Sequence, residues 1–105
     1  MAQLAHMVYF TLHDPSPDAV QGLVTACHRY LSGHEGVVYF SVGTLNRELV
    51  RPVNDLGYHV CLNLVFDSKE SHDKYQVEPR HIRFIEEQKP GWKQVRVFDS
   101  DLSDA

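Results

Sequence analysis

Residues 4 to 12 (LAHMVYFTL) read as a β-strand that is apolar on both of its faces, since His6, Val8 and Phe10 alternate onto one side and Met7 and Tyr9 onto the other. A strand with one solvated face alternates apolar with polar side chains, and this one does not. Residues 58 to 66 (YHVCLNLVF) repeat the pattern, with Val60, Leu62 and Leu64 opposed by Cys61 and Val65. The chain has 105 residues, room for one domain and few helices. A sheet built from such strands must find cover on its second face, and the simplest cover is another copy of the chain.

The rest of the chain supplies elements around those two strands. His13-Asp14-Pro15-Ser16-Pro17 closes the first strand. Ser16 then offers a cap oxygen and Pro17 a first helical residue, and Val20, Leu23, Val24, Cys27 and Leu31 recur at helical spacing, which predicts a helix over 17–32. Gly36 opens a second strand at 37–45, and a polar connection with Pro52 runs from Asn46 to Gly57. After the third strand, Asp67-Ser68 caps a short helix from Lys69 to Tyr75. Pro79 breaks it and restarts a helical piece through Ile82, Phe84 and Ile85, which Pro90-Gly91 ends. Residues 92–98 alternate as a fourth strand. The order βαββαβ predicts an α+β ferredoxin-like sandwich, a four-stranded antiparallel sheet with helices on one face. Residues 1–99 form its single domain and 100–105 a flexible acidic tail.

Composition narrows the function. With 14 acidic against 10 basic side chains the net charge is −4, and no basic stripe exists to displace counterions from a nucleic-acid backbone. No apolar run approaches the roughly 20 residues of a membrane span, and Met1-Ala-Gln-Leu lacks the features of a secretion signal, so the cytoplasm is the expected compartment. Cys27 and Cys61, in apolar stretches, are expected reduced and buried. The seven histidines show no paired i, i+4 spacing and no flanking cysteine that fixes coordination, so no dedicated metal site is expected.

One ordered set of residues is more specific. His6 precedes an apolar run, Gly57-Tyr58 opens the third strand, Phe66-x-Ser68 closes it, and Tyr75-x-x-x-Pro79-x-His81, Trp92 and Phe98-Asp99 follow. On this element order the set resembles the stress-responsive dimeric A/B barrel family, Dabb, over residues 4–99. The resemblance implies a homodimer joined through the open sheet faces into one α/β barrel. It also implies a site: a cyclase of this family closes polyketides by aldol condensation with a Tyr and a His at the positions of Tyr75 and His81. His6, Trp92 and Asp99 match its pocket residues, whereas Val60 stands where it has a further histidine.

That chemistry is sound without a metal or cofactor, because an imidazole removes a proton beside a carbonyl while a phenol steadies the enolate oxygen. Two function classes follow. One is a stress-associated homodimeric module that binds a small carbonyl or aromatic ligand. The other is a cofactor-independent cyclase-like enzyme with His81 as base and Tyr75 as oxyanion donor. A void reaching Tyr75, His81 and Trp92 separates a usable site from a packed core.

Overall fold

The computed structural model describes residues 2–104. Its elements are β1 (Leu4–Leu12), α1 (Pro17–Leu31), β2 (Val37–Thr44), β3 (Val60–Phe66), α2 (Lys69–Val77), α3 (Pro79–Gln88), a 3-10 turn (Lys89–Gly91) and β4 (Trp92–Asp101). The four strands make one antiparallel sheet in the order β2-β3-β1-β4, with β3 inserted between β1 and β2. This is the ferredoxin-like βαββαβ arrangement that the sequence predicts.

The helices start where their side chains can satisfy free backbone donors. The Ser16 Oγ accepts from the Ala19 N–H at 3.2 Å, and the Ser68 Oγ accepts from the Ser71 N–H at 3.2 Å. Pro79 takes the first position of α3, where a missing N–H costs nothing. The third strand begins at Val60, two residues later than expected; just before it the His59 N–H donates to the Phe10 carbonyl at 2.8 Å and its Nδ1 accepts from the Leu12 N–H at 3.0 Å. That second bond serves β1 where its register with β4 shifts, between Thr11 and Leu12.

All three helices lie on one face of the sheet. The core there joins Val8 and Phe10 of β1, Leu62, Leu64 and Phe66 of β3, Leu23, Cys27 and Leu31 of α1, and Tyr75 and Phe84 of α2 and α3. The other face carries Met7, Tyr9, Cys61, Val65 and Phe98, and Tyr9 meets Tyr58 and Phe98 edge-on at 4.9 and 5.8 Å. No helix among the described residues covers it, and Phe98 is 54% exposed. Arg96 reaches across the same face to Asp55 at 2.6 Å and ties the β2–β3 connection to β4. No helix among the described residues is long and apolar enough to cross a membrane.

Two expectations are corrected. Cys61 is half-buried where full burial was expected, because odd positions of β3 project to the uncovered face; Cys27 is buried, and both thiols are free. The fourth strand continues past Phe98 through Asp101, pairing Ser100 with Ala5 and Asp101 with Leu4, so residues 100 and 101 belong to the sheet and the tail starts after them. Ala105 of that tail, like Met1 of the domain, lies outside the described residues.

Gly33 and Gly36 turn the chain from α1 into β2 with φ of +73° and +83°. At Gly33 an added Cβ would meet open space, whereas at Gly36 it would fall inside contact distance of the Ser71 side chain, which starts α2. Gly33→Ala should therefore cost the left-handed backbone penalty of about 1–2 kcal/mol. Gly36→Ala should cost at least about 1 kcal/mol more, from the clash. Urea midpoints of the two variants check the order.

Candidate functional site

A cavity of about 150 Å³ lies between the helix-side face of the sheet and α2 and α3, and His6, Tyr75, Gln76, His81 and Trp92 are among the residues that line it. Four of the five site residues expected from sequence thus border one space. The break at Pro79 makes this possible. The Glu78 N–H still donates to the Tyr75 carbonyl at 3.2 Å, so α2 ends without loss of its last bond, and α3 restarts at an angle that stacks His81 against Tyr75 with ring centroids 4.4 Å apart. Tyr75 and His81 are both buried. Phe10, Phe84 and Trp92 form the apolar wall at centroid separations of 4.9 to 6.3 Å.

The cavity is reached from the edge strand. Val95 and Val97 of β4 line it on the helix side and are 37% and 48% exposed, because α1 and α3 do not extend over that edge. The fifth expected residue, Asp99, sits beyond them on the same strand face. Antiparallel register sets it opposite His6, and the His6 Nδ1–H donates to its Oδ1 at 2.5 Å.

The protonation chemistry follows from burial. Desolvation pushes the Tyr75 phenol well above the ordinary tyrosine range, with Cys27 adding to the shift, so the group is a hydroxyl donor at neutral pH. Desolvation also holds His81 below the usual 6.5, against the Gln76 carbonyl and with help from His6, His34 and His72. The carbonyl only accepts, so His81 Nδ1 carries the hydrogen that lies 3.2 Å from Gln76 O, and Nε2 is left as the basic nitrogen. His6 is likewise lowered by burial, with Asp99 opposing. One buried donor of the cavity wall has no partner: Trp92 Nε1 makes no hydrogen bond among the described residues.

The fold also brings in residues that sequence reasoning left out. His72, one turn before Tyr75 on α2, packs its ring 5.1 Å from that of His6. His34, in the turn after α1, meets Tyr75 edge-on at 5.0 Å. The i, i+3 spacing of His72 and Tyr75 on a capped helix is a signal that could have found the first. His34 has no such signal, since its neighbour is decided by how α1 packs.

The family model described as the Stress responsive A/B Barrel Domain matches residues 4–102. No curated protein matches the sequence. Among solved structures, the chain is similar to a Dabb family protein with a ferredoxin-like fold from Mesorhizobium loti, at TM-score 0.81 and 21% identity over 99% of this chain and 100% of that one. It is similar to a dimeric ferredoxin-like protein from Thermobifida fusca, at TM-score 0.79 and 19% identity over 96% and 92%. A hydroxynitrile lyase from Passiflora edulis aligns at TM-score 0.79 and 13% identity over 99% and 96%. At these identities the likeness to solved structures carries the fold.

The buried imidazoles tie the fold to pH. In the folded chain His6 and His81 both bind protons less readily than the ordinary 6.5 of an unfolded chain. The unfolded chain therefore takes up protons first as the pH falls, and stability is complete above that value and declines below it. Urea midpoints should drop between about pH 7.5 and about pH 5.5. His81→Gln removes one of the two groups and should flatten the decline. An unchanged slope would mean that His81 titrates as it does in water.

Proposed function

The chain belongs to the stress-responsive A/B barrel family, and from that premise we propose that it is a homodimeric protein that binds a compact carbonyl or aromatic compound in the cavity beside Tyr75 and His81. The observation that carries this reading is the donor set. Trp92 and Tyr75 both line the cavity, the buried Trp92 N–H has no partner among the described residues, and a buried donor left unpaired costs about 1–3 kcal/mol. A carbonyl oxygen is the complementary group. The size limits the rest of the ligand: about 150 Å³ is the volume of a cavity that takes one benzene ring. Val95 and Val97 give it an apolar entrance.

A second reading, proton abstraction beside a carbonyl, is favoured by the neutral state of His81 and the Nε2 that its bond to Gln76 leaves basic. In it His81 is the base and Tyr75 donates to the enolate oxygen, while His6, held by Asp99, and Trp92 position the substrate. In this reading the substrate is a carbonyl compound whose reacting end enters the cavity, as in an aldol-type cyclisation of the polyketide kind.

The dimer rests on the uncovered sheet face. Met7, Tyr9, Cys61, Val65 and Phe98 form a contiguous apolar surface there, and the Thermobifida fusca relative in fold is described as dimeric. The two free cysteines fit a reducing, cytoplasmic setting for such a dimer. Solution scattering should give twice the 12.1 kDa chain mass, and Phe98→Asp should shift the protein to monomer. A monomer mass for the unaltered chain overturns the dimer.

Ligand-observed NMR with small ketones and aromatic aldehydes tests the site. Tyr75→Phe and His81→Gln should each weaken binding by about tenfold, or about 1.4 kcal/mol, with the dimer intact by scattering. Affinity unchanged from that of the unaltered chain in both variants, or no saturable binding by any of these compounds, overturns the binding reading. Deuterium exchange at the α-carbon of a bound ketone, lost in His81→Gln, separates proton abstraction from binding alone.

A further inference from the structure

We propose that His6, His72 and Asp99 form a binding site for one divalent transition-metal ion of the zinc type. A donor atom from each of the three lies within 4.8 Å of the other two. They come from three elements, β1, α2 and β4, which the sheet register and the packing of α2 hold together. Two imidazoles and one carboxylate are a donor set that suits zinc and its first-row neighbours and leaves a coordination position open.

Two features go beyond the bare cluster. The His6–Asp99 hydrogen bond is complete by itself, so the convergence of His72 on it has no part in that bond. His72 is also held in the tautomer that a metal needs. Its Nδ1–H donates to Asp73 Oδ1 at 3.1 Å, which leaves Nε2 as a lone pair, met only by the Gln76 amide nitrogen at 3.3 Å. A carboxylate behind a ligating imidazole is the usual arrangement around bound zinc.

The cluster is graded from protein to solvent. His6 is buried, the His72 side chain is 16% exposed and the Asp99 side chain 44% exposed. His6 Nδ1 and Asp99 Oδ1, now 2.5 Å apart around one hydrogen, would stand about 3.3 Å apart around a tetrahedral ion. The exposed Asp99 side chain can move by that amount, the ion takes the place of the shared hydrogen at Nδ1, and the neutral imidazole carries its hydrogen on Nε2 instead, with no net proton lost from the pair. The proposal does not depend on what the neighbouring cavity binds.

Titration of the full chain with Co²⁺ alone, followed by its visible absorption, and then with Zn²⁺ in competition tests the site. One ion per chain is expected. His72→Leu and Asp99→Asn should each weaken binding at least about tenfold, while His13→Ala, at an exposed imidazole away from the cluster, should leave it unchanged. Asp99→Asn keeps the shape of an exposed side chain, so the test stands even where His72→Leu disturbs α2. Absence of saturable binding at micromolar metal, or affinity unchanged from that of the unaltered chain in both cluster variants, overturns the proposal.

Discussion

β1 is hydrogen-bonded along both edges, to β3 on one side and to β4 on the other, and this double pairing sets the position of nearly every group discussed above. Because side chains alternate along a strand, the pairings put Leu64, His6 and Asp99 in one row on the helix side and Asn63, Met7 and Phe98 in the next row on the bare side. A slip of one residue in β4 would carry Asp99 to the bare face and Phe98 into the cavity. The His59 side chain, by accepting from the Leu12 N–H where the β1–β4 register shifts, supports the end of that pairing nearest Trp92.

The cavity arises where this sheet is incompletely covered. α1 packs over β2 and β3 with Leu23, Cys27 and Leu31 fully inside, and the Cys27 thiol is pushed up to about 12 by burial. The second helical layer is cut in two at Pro79, and its halves leave a gap into which Tyr75, His81 and His6 project from three elements. An uninterrupted helix would carry residues 75 and 81 to different sides, since six positions make well over one and a half turns. The same low-polarity surroundings that keep Tyr75 protonated keep His81 neutral, so one environment prepares both a donor and a base.

The bare face is the counterpart of the filled one. A chain of this length has helices enough for a single side of its sheet, so the apolar groups of odd positions in β1 and β3 collect on the side without helices. Arg96 and Asp55 pair at the margin of that surface, and Tyr9, Tyr58 and Phe98 cluster on it. A charged margin around an aromatic centre is the composition of a protein interface.

Local signals in the sequence determined the elements and their order: alternation in residues 4–12 and 60–66, caps at Ser16 and Ser68, and prolines at 17 and 79 all act within a few residues of chain. They also determined that Tyr75 and His81 flank a helix break, and with the element order they made the sheet, its two faces and most of the site legible. Only the tertiary structure decided that Asp99 lies within β4 against His6, that Cys61 stays half-exposed, that His72 packs against His6 and His34 against Tyr75, and that the Trp92 N–H lacks a partner. The reason is physical. Capping, helix breaking and strand alternation are contacts between near neighbours in the chain, whereas strand register, cavity volume and hydrogen-bond satisfaction depend on groups tens of residues apart whose meeting is settled by packing.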